Sequence, residues 1–180
     1  YRDFVTDPEH ADGLDFVRAG LPVLSMRTFS KLYGLAGLRI GYLLGHPELL
    51  TGVNRVREVF PVDRLAQAAA LAALDDEEHC RRTLAANEAG KRYLVAELER
   101  LGAACVPSQT NFVFADLHRD SGELAAGLAR EGILVRPGGG WKMPSFARIT
   151  VGTMEQNRRL ISALERLLAR GPGASEKKTG

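Results

Sequence analysis

Cysteine is nearly absent from this sequence: Cys80 and Cys105 are the only two in 180 residues. Their separation fits no metal-ligand spacing, and they read as ordinary reduced thiols of a cytosolic protein. Histidine is scarce as well. His10, His46, His79 and His118 are scattered, so no zinc-type cluster is expected. An excess of one charge is missing too, because 24 Lys and Arg stand against 22 Asp and Glu. The basic residues fall in isolated pairs, Arg55/Arg57, Arg81/Arg82 and Arg158/Arg159. These read as solvated helix faces, which argues against a nucleic-acid partner. Aromatic residues are only 7% of the chain and do not interleave with those pairs, against single-strand binding. No apolar run approaches about 18 residues, the length of a membrane-crossing helix.

What is present is concentrated in 28–42, Thr-Phe-Ser-Lys-Leu-Tyr-Gly-Leu-Ala-Gly-Leu-Arg-Ile-Gly-Tyr. The apolar stretch 21–24 leads into it and predicts a buried strand. A lysine just past a strand end can reach into a cleft and attach to a carbonyl cofactor. Thr28, Ser30 and Arg39 offer two hydroxyl donors and a guanidinium fork, which is what a phosphate needs. Gly34, Gly37 and Gly41 allow tight turns and close backbone approach. One irregular loop can therefore place a covalent lysine and a phosphate clamp at opposite ends of a small cofactor. Pyridoxal 5′-phosphate has that shape.

The pattern Ser30-Lys31-x-x-Gly34-Leu35-x-Gly37-x-Arg39-x-Gly41-Tyr42 resembles the lysine segment of fold-type I pyridoxal-phosphate aminotransferases, and most of all their histidinol-phosphate group. The resemblance extends over residues 1–168. It implies an α/β chain: part of a large, mostly parallel α/β/α domain followed by a small C-terminal α/β domain. It makes Lys31 the catalytic lysine, tether and proton-moving base in one. Thr28, Ser30 and Arg39 become phosphate ligands. Tyr1 matches a tyrosine that hydrogen-bonds the cofactor's phenolic oxygen. The aspartate of the ring nitrogen would lie just before residue 1, so the chain is expected to be the C-terminal half of a longer protein. A cytoplasmic homodimer acting on an amino donor and a 2-oxo acid is implied, without nucleic-acid or membrane partners. The implied reaction is transamination between histidinol phosphate and 2-oxoglutarate in histidine biosynthesis. A threonine-phosphate decarboxylase-like lyase, an aromatic aminotransferase and a non-catalytic fragment are the alternatives. Gly34-Leu35-Ala36-Gly37 favours the transaminase.

Periodicity organises the rest. A short helix is expected within 5–20, strands at 21–25 and 38–44, and a helix from Pro47 to about Val59. Asp63 can cap an alanine-rich helix over 65–74, predicted to be buried between lobes. The 77–101 stretch reads as a long amphipathic helix stopped by Gly102. Strands at 104–106, 111–115, 133–136 and 146–151 alternate with helices at 124–130 and 154–170. The expected division is 1–74 for the large domain and interdomain helix, 75–170 for the small domain, and a disordered tail at 171–180.

In the second lobe, Arg136 and Arg148 lie at predicted strand edges, joined by a glycine-rich loop that can fold back. Two arginines brought to one place hold a carboxylate or phosphate. By resemblance, Arg148 grips the substrate anion, Arg136 a substrate phosphate, and Asn111 of Thr110-Asn111-Phe112 lies near that anion. Asn111 also fits a plain strand-start role. Trp141 reads equally as packing or as cleft lining. Gly138-Gly139-Gly140 lacks the following Lys-Ser or Lys-Thr of a phosphate loop. Asp63 stands where the resembled group often has Asn; helix capping is one reading of it, and a substrate-side role is not carried over to this position.

Overall fold

The computed structural model describes residues 1–169. They form two compact units, Tyr1–Leu84 and the chain from Ala85 onward. The predicted tail at 171–180 lies outside the described residues.

In the first unit, Asp12 caps helix α1 (Gly13–Arg18) by accepting from Leu14 N at 2.9 Å. Strand β1 (Leu24–Thr28) pairs antiparallel with β2 (Gly41–Gly45), with Ser25 opposite Leu44 and Thr28 opposite Gly41. Both strands begin three residues later than the apolar runs suggested. Pro22 has no N–H for a ladder, and a 3-10 turn at Ala36–Leu38 followed by left-handed Arg39 occupies the start of the second run. Helix α2 (Pro47–Val56) starts at Pro47, whose missing N–H costs nothing in a first turn. Helix α3 (Arg64–Asp75) is capped by Asp63, which accepts from Ala66 N at 2.8 Å. The expectation that this helix is buried needs correction. Only Ala66 and Ala70 are buried, while Leu65 and Leu71 are 77% and 68% exposed. Phe29 and Leu32 of the β1–β2 connection are buried, as is Phe4 near the start of the chain.

Helix α4 (Glu77–Arg100) is continuous, and the divide between the units falls inside it, not before it. In the second unit, strands β3 (Ala104–Val106), β4 (Phe112–Asp116), β5 (Arg136–Pro137) and β6 (Phe146–Thr150) form one sheet in the order β3-β4-β6-β5. Strands β4 and β6 alternate in burial with the period of two that a half-buried sheet requires. Val113, Ala115, Ala147 and Ile149 face the core. There they join Leu94 and Leu98 of α4, Leu124 and Leu128 of α5 (Ser121–Arg130), and Leu160, Ile161 and Leu164 of α6 (Met154–Ala169). Each such leucine contributes about 1.5–3 kcal/mol by burial. The strand expected at 133–136 shortens to Arg136–Pro137, because Ile133 N turns back to Leu128 O and Pro137 has no N–H. Every strand pairing among the described residues is antiparallel. None of the parallel pairing expected of a large α/β/α domain lies among them. No described helix is long and apolar enough to cross a membrane.

Candidate functional site

The lysine loop is built by the β1–β2 connection. Thr28 and Gly41 close the ladder, and a Cβ on Gly41 would come 2.5 Å from Arg27 O, so glycine is required there. Phe29 N then donates to Ile40 O at 3.2 Å, and Leu35 N returns to Phe29 O at 3.0 Å. Phe29 is buried, with its ring 4.9 Å from that of Tyr33 and 6.0 Å from that of Tyr42. Leu32 is the second anchor. Between these two buried side chains Lys31 is pushed outward and exposed. Its Nζ lies 5.5 Å from the centre of the Tyr1 ring.

The hydroxyls sit at the loop's entrance. Thr28 Oγ1 donates to Ser30 Oγ at 2.9 Å, and Ser30 N donates to Thr28 Oγ1 at 3.1 Å. Arg39 is held in the left-handed region at φ 50° and gives Nη1 to Ala36 O at 2.8 Å. That uses one of its five N–H donors. Because Phe29 pairs with Ile40, the Thr28–Ser30 end and Arg39 are neighbours along the closed loop. Two hydroxyls, a guanidinium with unused donors and an exposed lysine amine fit a phosphorylated carbonyl compound.

Two supports of this loop were not visible in the sequence. His79 Nε2 donates to Leu32 O at 3.0 Å and fixes the residue after Lys31. Asp12 accepts from Arg2 Nε at 2.6 Å and from Arg27 Nη2. The Leu14 N–H first, then the Arg2 and Arg27 guanidiniums, hold its carboxyl well below the usual carboxylate range. One carboxylate thus ties the neighbour of Tyr1 to the neighbour of Thr28. Nothing in the sequence pairs Asp12 with arginines 10 and 15 residues away. Burial pushes the Cys80 and Cys105 thiols up, so neither is a ready thiolate. No group of metal-ligating side chains occurs among the described residues.

In the second unit, Arg136 and Arg148 are direct cross-strand partners. Directly opposite residues project from the same face of a sheet. Phe114 lies opposite Arg148 on the other side, so one cross-strand row reads Phe114, Arg148, Arg136. The Arg148 guanidinium is 5.4 Å from the centre of the Phe112 ring, and its Nε is buried without a hydrogen bond. The Arg136 guanidinium is 4.9 Å from the centre of the Trp141 ring. Among the described residues neither guanidinium is paired with a carboxylate. Like charges directly opposite repel, and an anion held by both guanidiniums would relieve that repulsion.

Asn111 stands on a fixed loop. Its carbonyl accepts from Val151 N at 2.9 Å. Beside it, Ser108 Oγ donates to Phe112 O at 2.7 Å, Lys91 Nζ to Ser108 O at 3.1 Å and Asn87 Nδ2 to Thr110 O at 3.4 Å. The structure therefore sets Lys31 against Tyr1 and Thr28 against Ser30 in the first unit, with Arg39 on the same closed loop. It brings Arg136 and Arg148 together in the second, and there holds the backbone of Asn111. Asp63 serves as a helix cap.

Comparison with known proteins gives this geometry a context. The family model for class I and II aminotransferases matches residues 1–164. The histidinol-phosphate aminotransferase of Moorella thermoacetica is 46% identical over 170 residues, covering 94% of this chain and 44% of that protein. The one from Symbiobacterium thermophilum is 47% identical over 171 residues, covering 95% and 47%. The crystal structure of the Sinorhizobium meliloti histidinol-phosphate aminotransferase, in complex with pyridoxal 5′-phosphate, superposes with a TM-score of 0.73 at 31% identity. That match covers 82% of this chain and 41% of the other. The chain spans just under half the length of the curated relatives it matches.

Proposed function

The chain belongs to the class I and II aminotransferase family, and on that premise we propose that it serves pyridoxal-phosphate-dependent transamination from histidinol phosphate to 2-oxoglutarate, within a protein of its relatives' length. The observation that carries this reading is the exposed Lys31 on the same closed loop as the Thr28 and Ser30 hydroxyls and the Arg39 guanidinium.

The first unit is read as part of the cofactor domain and the second as the small, substrate-holding domain. Thr28, Ser30 and Arg39 hold the cofactor phosphate. Tyr1 holds the ring's phenolic oxygen. Bound there, the cofactor supplies an electron sink that stabilises negative charge at the substrate Cα. Lys31 Nζ would serve both as the tether of the cofactor and as the base. As the base it would take the Cα proton and hand it to the cofactor's carbonyl-derived carbon, the proton shift that transamination requires. Arg148 and Arg136 orient the substrate through its anionic group, and Asn111 lies beside that group. A phosphate carries nearly two charges and matches the paired guanidiniums better than a single carboxylate. The whole protein is read as a cytoplasmic homodimer.

The test uses the full-length protein with histidinol phosphate and 2-oxoglutarate, following glutamate formation and carbon dioxide release in parallel. Glutamate formation without carbon dioxide is expected. Carbon dioxide release without glutamate would replace the transaminase reading with a decarboxylase.

A further inference from the structure

Trp141 is the one tryptophan of the sequence and is 42% exposed, outside the buried core of its unit. Its placement is nonetheless tightly prescribed. It ends the 3-10 turn Gly138–Trp141, which begins where Gly138 N donates to the buried Ser121 Oγ at 3.2 Å. A Cβ on Gly138 would collide with Met143 O and come 2.7 Å from Phe146 O. Lys142 closes the turn at φ 60°, with its N donating to Gly139 O at 3.0 Å. A non-glycine residue keeps that conformation only where its surroundings enforce it.

The turn delivers the indole to both ends of the row Phe114, Arg148, Arg136. Trp141 meets Phe114 edge-on at 5.9 Å, and Phe114 stacks on Phe146 at 5.0 Å. At the other end the Arg136 guanidinium lies over the Trp141 ring at 4.9 Å. An arginine on a long stem loses much freedom when fixed, and Arg148 opposite repels it. An aromatic face in edge contact with Phe114, which is itself stacked on Phe146, opposes both effects.

We infer that Trp141 is a positioning residue: it holds the Arg136 guanidinium beside Arg148, so that both present donors to one anionic group, and thereby sets the preference for phosphate over carboxylate. This rests on the reading of Arg136 as a ligand of the substrate anion.

The test measures kcat/KM for the phosphorylated amine and for glutamate, and the inhibition constant of inorganic phosphate, in the full-length holoenzyme. The variants are Trp141→Leu, Trp141→Phe, Arg136→Ala and the Arg136→Ala/Trp141→Leu double. Trp141→Leu should lower kcat/KM for the phosphorylated amine roughly 3- to 10-fold, the scale of a cation–π contact. It should raise the phosphate inhibition constant by the same factor and affect glutamate less. Trp141→Phe, which keeps an aromatic face and preserves folding, should recover most of the loss. The double variant should be no worse than Arg136→Ala, because a residue acting only through Arg136 has nothing left to position. If Arg136→Ala spares the phosphorylated amine, the underlying reading of Arg136 fails. If Arg136→Ala is selective while Trp141→Leu equals wild type, or Trp141→Phe is as impaired as Trp141→Leu, the positioning role alone is overturned.

Discussion

The Nζ of Lys31 lies over the ring of Tyr1, 5.5 Å from its centre, although the two are separated by a 3-10 turn, a helix and a strand. What holds this pair is not local. Asp12 grips Arg2, next to Tyr1, and Arg27, next to Thr28, while Phe29 and Leu32 anchor the loop on either side of Lys31. Lys31 is thus exposed on a frame whose supports are buried or ion-paired.

The Asp12 frame carries a pH signature. Its carboxyl is held below the usual range, near 3.9 for a free aspartate, so it stabilises the folded state at all pH values above that range. The stabilisation is lost as pH falls through the lower, folded value. Asp12→Asn keeps a capping oxygen but removes the charge shared by two arginines. It should cost about 1.5–3 kcal/mol at neutral pH, the scale of charge-assisted hydrogen bonds. Thermal midpoints of the full-length protein and variant should converge as pH drops below about 4. A gap that stays constant down to pH 3 would mean that the carboxylate charge is not the cause.

Arg39→Ala tests the phosphate clamp. The guanidinium gives one donor to Ala36 O and has others for a ligand. Losing a charge-assisted contact of about 1.5–3 kcal/mol should weaken cofactor affinity tenfold or more. Equilibrium dissociation of pyridoxal phosphate from the full-length protein measures this directly. An unchanged dissociation constant would remove Arg39 from the clamp.

The cross-strand arginines should separate by substrate. Arg136→Ala is expected to reduce kcat/KM for histidinol phosphate more than for glutamate. Arg148→Ala, with its partly buried guanidinium, should reduce both. Each loss should lie near 2–4 kcal/mol for the substrate that uses the contact, or roughly thirty- to a thousand-fold. Equal losses in Arg136→Ala would argue for a general acidic or aromatic aminotransferase. No loss in Arg148→Ala would leave the pair without a substrate role.

The parts legible from the sequence were those that local chemistry decides. The Lys31 loop, the Asp63 cap and the long amphipathic helices α4 and α6 follow from spacing and periodicity over short windows. Strand limits were less so, because Pro22, Pro137 and left-handed Arg39 interrupt ladders in runs that are apolar enough to continue. Helix α3 misled for a different reason: small side chains permit close packing but do not require it, and only Ala66 and Ala70 are covered. The grip of Asp12 on two arginines, the His79–Leu32 bond and the Arg136–Trp141 contact depend on tertiary placement. The strand register that sets Arg136 opposite Arg148 is likewise fixed by the whole sheet, not by the residues themselves.

The site of covalent attachment bears most directly on the account. The full-length protein, loaded with pyridoxal phosphate, is reduced with borohydride and digested, and the labelled peptide is identified by mass. The label is expected on Lys31, the only lysine in the 28–42 run. A Lys31→Ala variant should keep the wild-type thermal midpoint in the cofactor-free form, take up no label and lose transamination. A label on any other lysine, or wild-type turnover in the variant, would contradict it.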